Sequence, residues 1–378
     1  MPPESAIGIL DGLRREVERG AVRTRNGLRL ISGAQFAPPH PTPSDVIWSS
    51  GKCQVRRYRR GSPARLHPPV LCYLGLVGQP YVFDLYKDGS IVQMLMDSGF
   101  DAYVLDWGIA DEQDVENTLE TYLQDYFPRA LDAVCVESGC GDVTAFAYCM
   151  GAVMTVHALA ARPELPVRSV VSLAAPFDWS DLGAYVNAVR EGKVDLEELL
   201  DASGNLPGAL VRESFKRRKP TADIVNYANL WQHLWDDQYV EGYQAIGRFL
   251  HDHIPLPGAT ARQVVQQWIK DNGFVTDTLR LGGRPASLAN VRIPMLAVIA
   301  EHDDIAPVAA TIALADVLPN STVDVLRVNS GHVSLFAGRK AVKDVMPEVF
   351  SWIEGRSEEA HESTRTGGHE SRNKKTRR

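Results

Sequence analysis

The chain has 378 residues, 44% of them hydrophobic, and a formal net charge of -7, enough length and apolar content for one large or two modest soluble domains. The acidic balance excludes a nucleic-acid-binding body, which needs a basic face to release counterions, and no apolar run reads as a membrane span or a secretory signal. Five cysteines, Cys53, Cys72, Cys135, Cys140 and Cys149, are odd in number and spaced neither as a disulfide framework nor as zinc ligands, so a reduced intracellular chain without a metal is expected.

In chain order, "IGILDGLRREVERG" places Ile9, Leu10, Leu13 and Val17 at helical intervals. This predicts an amphipathic helix packed on the body, broken by the linker "FAPPHPTPSD". "VIWSSGKCQVRRYRR" reads as two antiparallel edge strands around a Ser-Gly turn. "VLCYLGLV" is a short apolar run of the kind buried on both faces of a parallel sheet. Helix and strand patterns then alternate: "GSIVQMLMDSGF" is amphipathic, "DAYVLDWG" extended, residues 111–137 one long helix, "DVTAFAY" extended, "GAVMTVHALAARPE" helical and "VRSVVSLAAP" extended. Such alternation predicts a doubly wound, mostly parallel α/β sheet with binding loops at the carboxyl ends of its strands.

The alternation stops near Trp179 and resumes at "VRIPMLAVIAEHDD", with about a hundred residues between them in mainly helical pattern and without a strand-like run. Residues 180–285 are therefore expected to be a helical cap inserted into a core of 69–179 and 286–355, with 1–68 supplying the first helix and the edge strands. The strand "STVDVLRV" and the helix "AVKDVMPEVFSWIEG" would close the sheet. Residues 356–378 are almost devoid of apolar side chains and end in a basic cluster, a composition expected to be disordered.

The chemistry concentrates at Ala147-Tyr148-Cys149-Met150-Gly151. A reactive residue on a strained strand-to-helix turn needs small flanking residues because neighbouring backbone approaches closely, which is the nucleophile elbow of α/β-hydrolases. The following helix would favour a thiolate through its dipole. Alone, the pentapeptide fits a buried, inert cysteine equally well. Such enzymes order their groups as nucleophile, acid, histidine, and downstream strands end at His302-Asp303-Asp304 and at Ser330-Gly331-His332. His332 is the candidate base, and Asp303 and Asp304 compete as its acid, because adjacent extended residues point opposite ways. His157, His233, His251 and His253 are expected on the surface or in the cap. An oxyanion needs two preorganised amides; Met150 would supply one, and the loop after "VLCYLGLVGQP" the other, Val77 before Gly78.

Over nearly its whole length the chain resembles the polyhydroxyalkanoate synthases, most closely the short class III catalytic subunit. The resemblance is carried by "QPYVFDL", "YVLDWG", "AYCMGA", "GNLPGALVRESFKRRKP", "QWIKDNGF", "EHDDIAP" and "SGHVSLFAGRKA". It implies an acyltransferase that builds poly(3-hydroxybutyrate)-like polyester from 3-hydroxyacyl-CoA, with Cys149 as nucleophile, Asp303 as acid and His332 as base. It also implies no resident cofactor, since CoA belongs to the substrate, and a cytoplasmic place at the polyester granule, with a second synthase subunit or a homodimer partner. Ala147 and Ala152 stand where the family's G-x-C-x-G-G box has its first and last glycines, and Asp304 where a histidine usually follows the acid. Each alanine would crowd the elbow, and the Asp304 charge would raise the pKa of His332. A thioesterase or esterase with the same three residues and water as acceptor, or a non-catalytic granule or subunit partner in which Cys149 merely packs, are the alternatives.

Overall fold

The computed structural model describes residues 3–33, 42–216 and 222–359. Among the described residues eleven strands occur: β1 Ser44–Ser50, β2 Cys53–Tyr58, β3 Leu66–Leu74, β4 Phe100–Asp106, β5 Val143–Tyr148, β6 Val167–Leu173, β7 Arg280–Leu281, β8 Arg284–Pro285, β9 Met295–Ala300, β10 Val323–Val328 and β11 Glu358–Glu359. The main sheet runs β1-β2-β4-β3-β5-β6-β9-β10. The pairs from β4 to β10 are parallel, whereas β1 and β2 join antiparallel at one edge. The strand order reverses at β3, which lies between β4 and β5, so the crevice of this open sheet opens beyond the carboxyl ends of β3 and β5.

The helices are α1 Pro3–Ile31, α2 Ile91–Asp97, α3 Phe127–Ser138, α4 Met150–Ala161, α5 Ala184–Arg190, α6 Gly208–Lys216, α7 Ala222–His233, α8 Asp237–His251, α9 Gly258–Gln263, α10 Gly273–Thr276, α11 Val308–Val317 and α12 Met346–Glu354. Alternate residues of the central strands enter two separate cores, as a pleat requires. Ala145 and Ala147 pack with α3 and α4 on one face. Phe146 and Tyr148 pack with α2, α12 and Phe249 on the other. Because both faces are covered, β5 is buried at every position, and its sequence is apolar throughout except for Thr144, whose hydroxyl bonds Ser169 at 3.2 Å.

Several elements depart from the sequence expectations. The first helix runs on past Val17 to Ile31 and stops where Gly33 takes a left-handed conformation (φ 71°). Val17 is 72% exposed, so it does not pack on the body. The helix docks instead through Asn26, whose amide donates to the Leu234 carbonyl at 2.9 Å and to Asp237 at 2.7 Å. The side chains of Ile9, Leu10 and Leu13, residues 36–41 of the linker and residues 360–378 of the tail lie outside the description.

Residues 111–137 do not form one helix. Asp111 and Asp114 close a capping box around a single 3₁₀ turn at Glu112–Asp114, and the helix starts again only at Leu119. It then widens to a π turn at Thr121–Tyr126 before Pro128. A second π turn, Ala341–Val345, precedes Pro347 in the same way. Proline lacks the N–H that a regular turn would use, and these two wide turns fall where that bond is lost; a third, Val264–Lys270, has no proline beside it.

The segment between β6 and β9 is mostly helical but contains the β7–β8 hairpin, which its two-residue strands made invisible to periodicity. Residues 358–359 are not free chain, because β11 pairs antiparallel with His67 and Leu66 at the start of β3.

Candidate active site

The elbow is built from backbone constraints. Cys149 sits between β5 and α4 with φ 52° and ψ -124°, a conformation that a residue bearing a Cβ holds only when its surroundings over-determine it, at a cost of about 1–3 kcal/mol. Its N–H bonds the Leu173 carbonyl of β6 at 2.7 Å, while its own carbonyl accepts from Ala152 at 3.0 Å. Gly151 lets α4 approach β3: a Cβ there would lie 2.8 Å from the Leu74 carbonyl carbon and 3.0 Å from its Cα. Both contacts are backbone, so Gly151→Ala is expected to cost about 1–3 kcal/mol through overpacking. The loss should appear as a lower urea midpoint, and an unchanged midpoint would mean that α4 can retreat freely. Ala147 and Ala152, where glycines were anticipated, are both fully buried in the same core.

The loop after β3 lies directly against the elbow. A Cβ on Gly75 would meet the Met150 Cβ at 2.3 Å, so the first residue of α4 and this loop share van der Waals contact. The Trp107 indole donates to the Leu74 carbonyl at 2.7 Å, and Ile254 donates to the Val77 carbonyl at 3.1 Å. Val77 is half-buried and Gly78 buried. Met150 is the first helical residue, so its amide has no intrahelical acceptor.

The other two candidates arrive on neighbouring loops. β9 leads to Asp303 and β10 to His332, and the loops are tied together by His302 N–H to the Ser330 carbonyl at 2.9 Å. Asp303 is the residue turned inward: one carboxylate oxygen accepts from the Ile305 and Ala306 amides at 2.7 and 2.8 Å, and the other meets His332 Nδ1 at 2.6 Å. Its side chain is fully buried and that of His332 is 9% exposed. With Nδ1 so engaged, Nε2 is the ring nitrogen left to act, and the half-buried Cys149 is close enough for its charge to bear on the imidazole. Burial alone would push the imidazole pKa down; the neighbouring Cys149 charge and the hydrogen bond from Asp303 outweigh it and raise it. Asp304 is exposed, and the largest influences on His332 are burial, Cys149 and Asp303.

Cys149, His332, Asp303, Met150 and the Val77 loop are thus brought together, and the other histidines stay apart. His157 is not a surface residue. It is fully buried, accepts from the Trp268 indole at 3.3 Å and donates to the Arg280 carbonyl at 3.1 Å. Burial lowers its pKa to about 4, which keeps it a neutral strut between α4 and the β7–β8 hairpin.

Two residues went unnoticed in the sequence. Tyr148 packs on the His332 ring, centroids 5.1 Å apart, and stacks on Phe336 at 4.8 Å. Phe83 of "QPYVFDL" packs behind Phe336 at 5.2 Å. No spacing rule could have paired Tyr148 with a residue 184 positions away; an aromatic beside the cysteine was the one available sign.

A family model for the alpha/beta hydrolase fold matches residues 68–338. Among curated proteins, the chain is 28% identical to the poly(3-hydroxyalkanoate) polymerase subunit PhaC of Thiocystis violacea, over 92% of this chain and 98% of that protein. It is 27% identical to the same-named subunit of Allochromatium vinosum, with the same coverage of 92% and 98%. The Haloferax mediterranei subunit is 28% identical over 85% of this chain, which spans only 66% of that longer protein. The matched residues make up well over half of the chain, and the chain belongs to the alpha/beta hydrolase fold family.

Proposed function

We propose that the chain is an acyltransferase that polymerises 3-hydroxyacyl-CoA into polyhydroxyalkanoate through a thioester on Cys149. The observation that supports this reading is a cysteine on a strained elbow beside a histidine whose Nδ1 is held at 2.6 Å by the buried Asp303. The similarity to PhaC subunits over 92% of the chain supplies the substrate class.

His332 Nε2 takes the Cys149 proton as the sulfur attacks the acyl carbonyl. The oxyanion forms against the amides of Met150 and Val77, with Gly78 next in line. Collapse breaks the bond to CoA, and the proton on His332 leaves with the CoA sulfur. The 3-hydroxyl of a second unit, or of the growing chain, then gives its proton to His332 and attacks the enzyme-bound thioester, forming an oxoester and restoring the Cys149 thiol. Asp303 holds the imidazole with Nδ1 protonated and steadies its charged form. No step needs a metal or a resident cofactor, because CoA enters as part of the substrate.

Residues 180–285 would act as the cap that keeps water from the acyl-enzyme. Among the described residues no helix is long and apolar enough to cross a membrane. The expected site of action is the cytoplasmic surface of the polyester granule, with a second synthase subunit or a second copy of the chain.

Incubation with 3-hydroxybutyryl-CoA tests the proposal. Free CoA together with solvent-extractable polyester is the expected result. Free CoA with monomeric 3-hydroxybutyrate instead assigns the same residues to a thioesterase, and no CoA release from the folded chain, alone or with a synthase partner subunit, overturns the enzymatic reading.

A further inference from the structure

The residue that packs on the His332 ring has no part in the scheme above. Tyr148 is 3% exposed and is the last residue of β5. Its ring is inclined 43° to His332 at 5.1 Å and lies nearly parallel to Phe336, at 25° and 4.8 Å. Phe336 is held in turn by Phe83, edge on at 5.2 Å. The Tyr148 hydroxyl adds a long hydrogen bond, 3.4 Å, to the His332 carbonyl. Burial, with the Cys149 and Asp303 charges adding to it, keeps that hydroxyl protonated and therefore a donor.

An imidazole against a fixed aromatic face loses rotational freedom. Its protonated form is also attracted to the ring quadrupole, which the neutral form is not. The titratable groups facing His332 are Cys149, Asp303 and Tyr148.

We propose that Tyr148 is a positioning residue for His332: its ring, braced by Phe336 and Phe83, holds the imidazole toward Cys149 and favours the protonated form. The inference rests on the reading in which Cys149 and His332 exchange a proton, but it can be tested without turnover. Asp303 fixes the ring through Nδ1 and Tyr148 fixes it through its face, so the two constraints are independent.

The test uses the full chain labelled at histidine, with Cys149→Ala as background so that the thiol no longer couples to the ring. Tyr148→Leu is expected to lower the His332 titration midpoint, followed by NMR, by about half a pH unit. Tyr148→Phe, which keeps the ring, should leave it within about 0.2. In chains that retain Cys149, Tyr148→Leu should lower kcat for 3-hydroxybutyryl-CoA about tenfold with KM changed less than about twofold, and Tyr148→Phe should keep most of the rate.

A folded Tyr148→Leu chain with unchanged midpoint and kcat overturns the proposal. Should that variant fail to fold, Phe336→Leu loosens Tyr148 from behind; a lowered midpoint there supports the role and an unchanged one overturns it. If the wild-type chain releases no CoA, the acyltransferase reading fails, while the titration still decides what Tyr148 does.

Discussion

Cys149→Ala is expected to remove acyl-CoA turnover, with CoA release falling at least about 10⁴-fold, because the proposed attack is made by that sulfur. The other cysteines are poorly placed to substitute. Cys53 and Cys72 are fully buried, and burial raises both thiols far above the ordinary range. Cys140 meets His67 Nδ1 at 3.1 Å, yet His67 belongs to the amino-terminal end of β3, the end opposite the elbow.

The loss should be chemical rather than structural. Alanine keeps the Cβ and therefore the strain at φ 52°, so the urea midpoint should move little. Cys149→Gly should be equally inactive yet slightly more stable, because glycine adopts positive φ freely. Turnover by the alanine variant at the wild-type rate would place the nucleophile elsewhere.

Asp303→Asn has the next largest effect, a kcat loss of about 10³–10⁴-fold with the fold intact. One carboxylate oxygen already accepts two backbone amides, from Ile305 and Ala306. An asparagine keeps those bonds by placing its carbonyl oxygen there, which turns its NH2 toward His332 Nδ1. The ring must then accept at Nδ1, so its proton moves to Nε2, the nitrogen that should take the proton from Cys149. Tautomer, not position, is what this variant changes.

Asp304→Asn serves as the contrasting measurement, since that side chain is exposed. It should leave kcat within about twofold, as a solvated charge is largely screened. Equal losses in the two variants would contradict the assignment of the acid.

The parallel core was readable because strands buried on both faces are short apolar runs, and β3, β5, β6 and β9 all have that form. The elbow was readable because a tight turn leaves few residue types possible around Cys149. The order of cysteine, acid and histidine then located Asp303 or Asp304, and His332, without any knowledge of distance. Spacing alone left the two aspartates open and the resemblance favoured Asp303; the turn after β9, whose Ile305 and Ala306 amides point at Asp303, is what turns that carboxylate toward His332.

Capping explains another gap. Asp111 and Asp114 are ordinary helix-surface residues by pattern, but they close on each other's backbone as the cap of a separate single turn, and the helix proper begins only at Leu119. His157 was misread for a related reason. Its partners, Trp268 and the Arg280 carbonyl, lie more than a hundred residues away, but its helix is apolar on every side, which is the pattern of a buried helix and was overlooked.

The role of the recognised segments also became physical only in three dimensions. "YVLDWG" contributes Trp107, which holds the last carbonyl of β3 just before the Val77 loop. "QPYVFDL" contributes Phe83, which braces the aromatic stack under His332, and Asp84, a buried carboxylate that accepts from the Thr42 amide and hydroxyl, each at 3.0 Å. These motifs frame the candidate site.

The most direct measurement is the intact mass of the chain after brief exposure to 3-hydroxybutyryl-CoA, followed by peptide mapping. One 3-hydroxybutyryl adduct, located on Cys149 and absent from Cys149→Ala, is the predicted result. An adduct on another residue, or CoA released from wild-type chain while Cys149 never becomes acylated, would contradict covalent catalysis by this thiol.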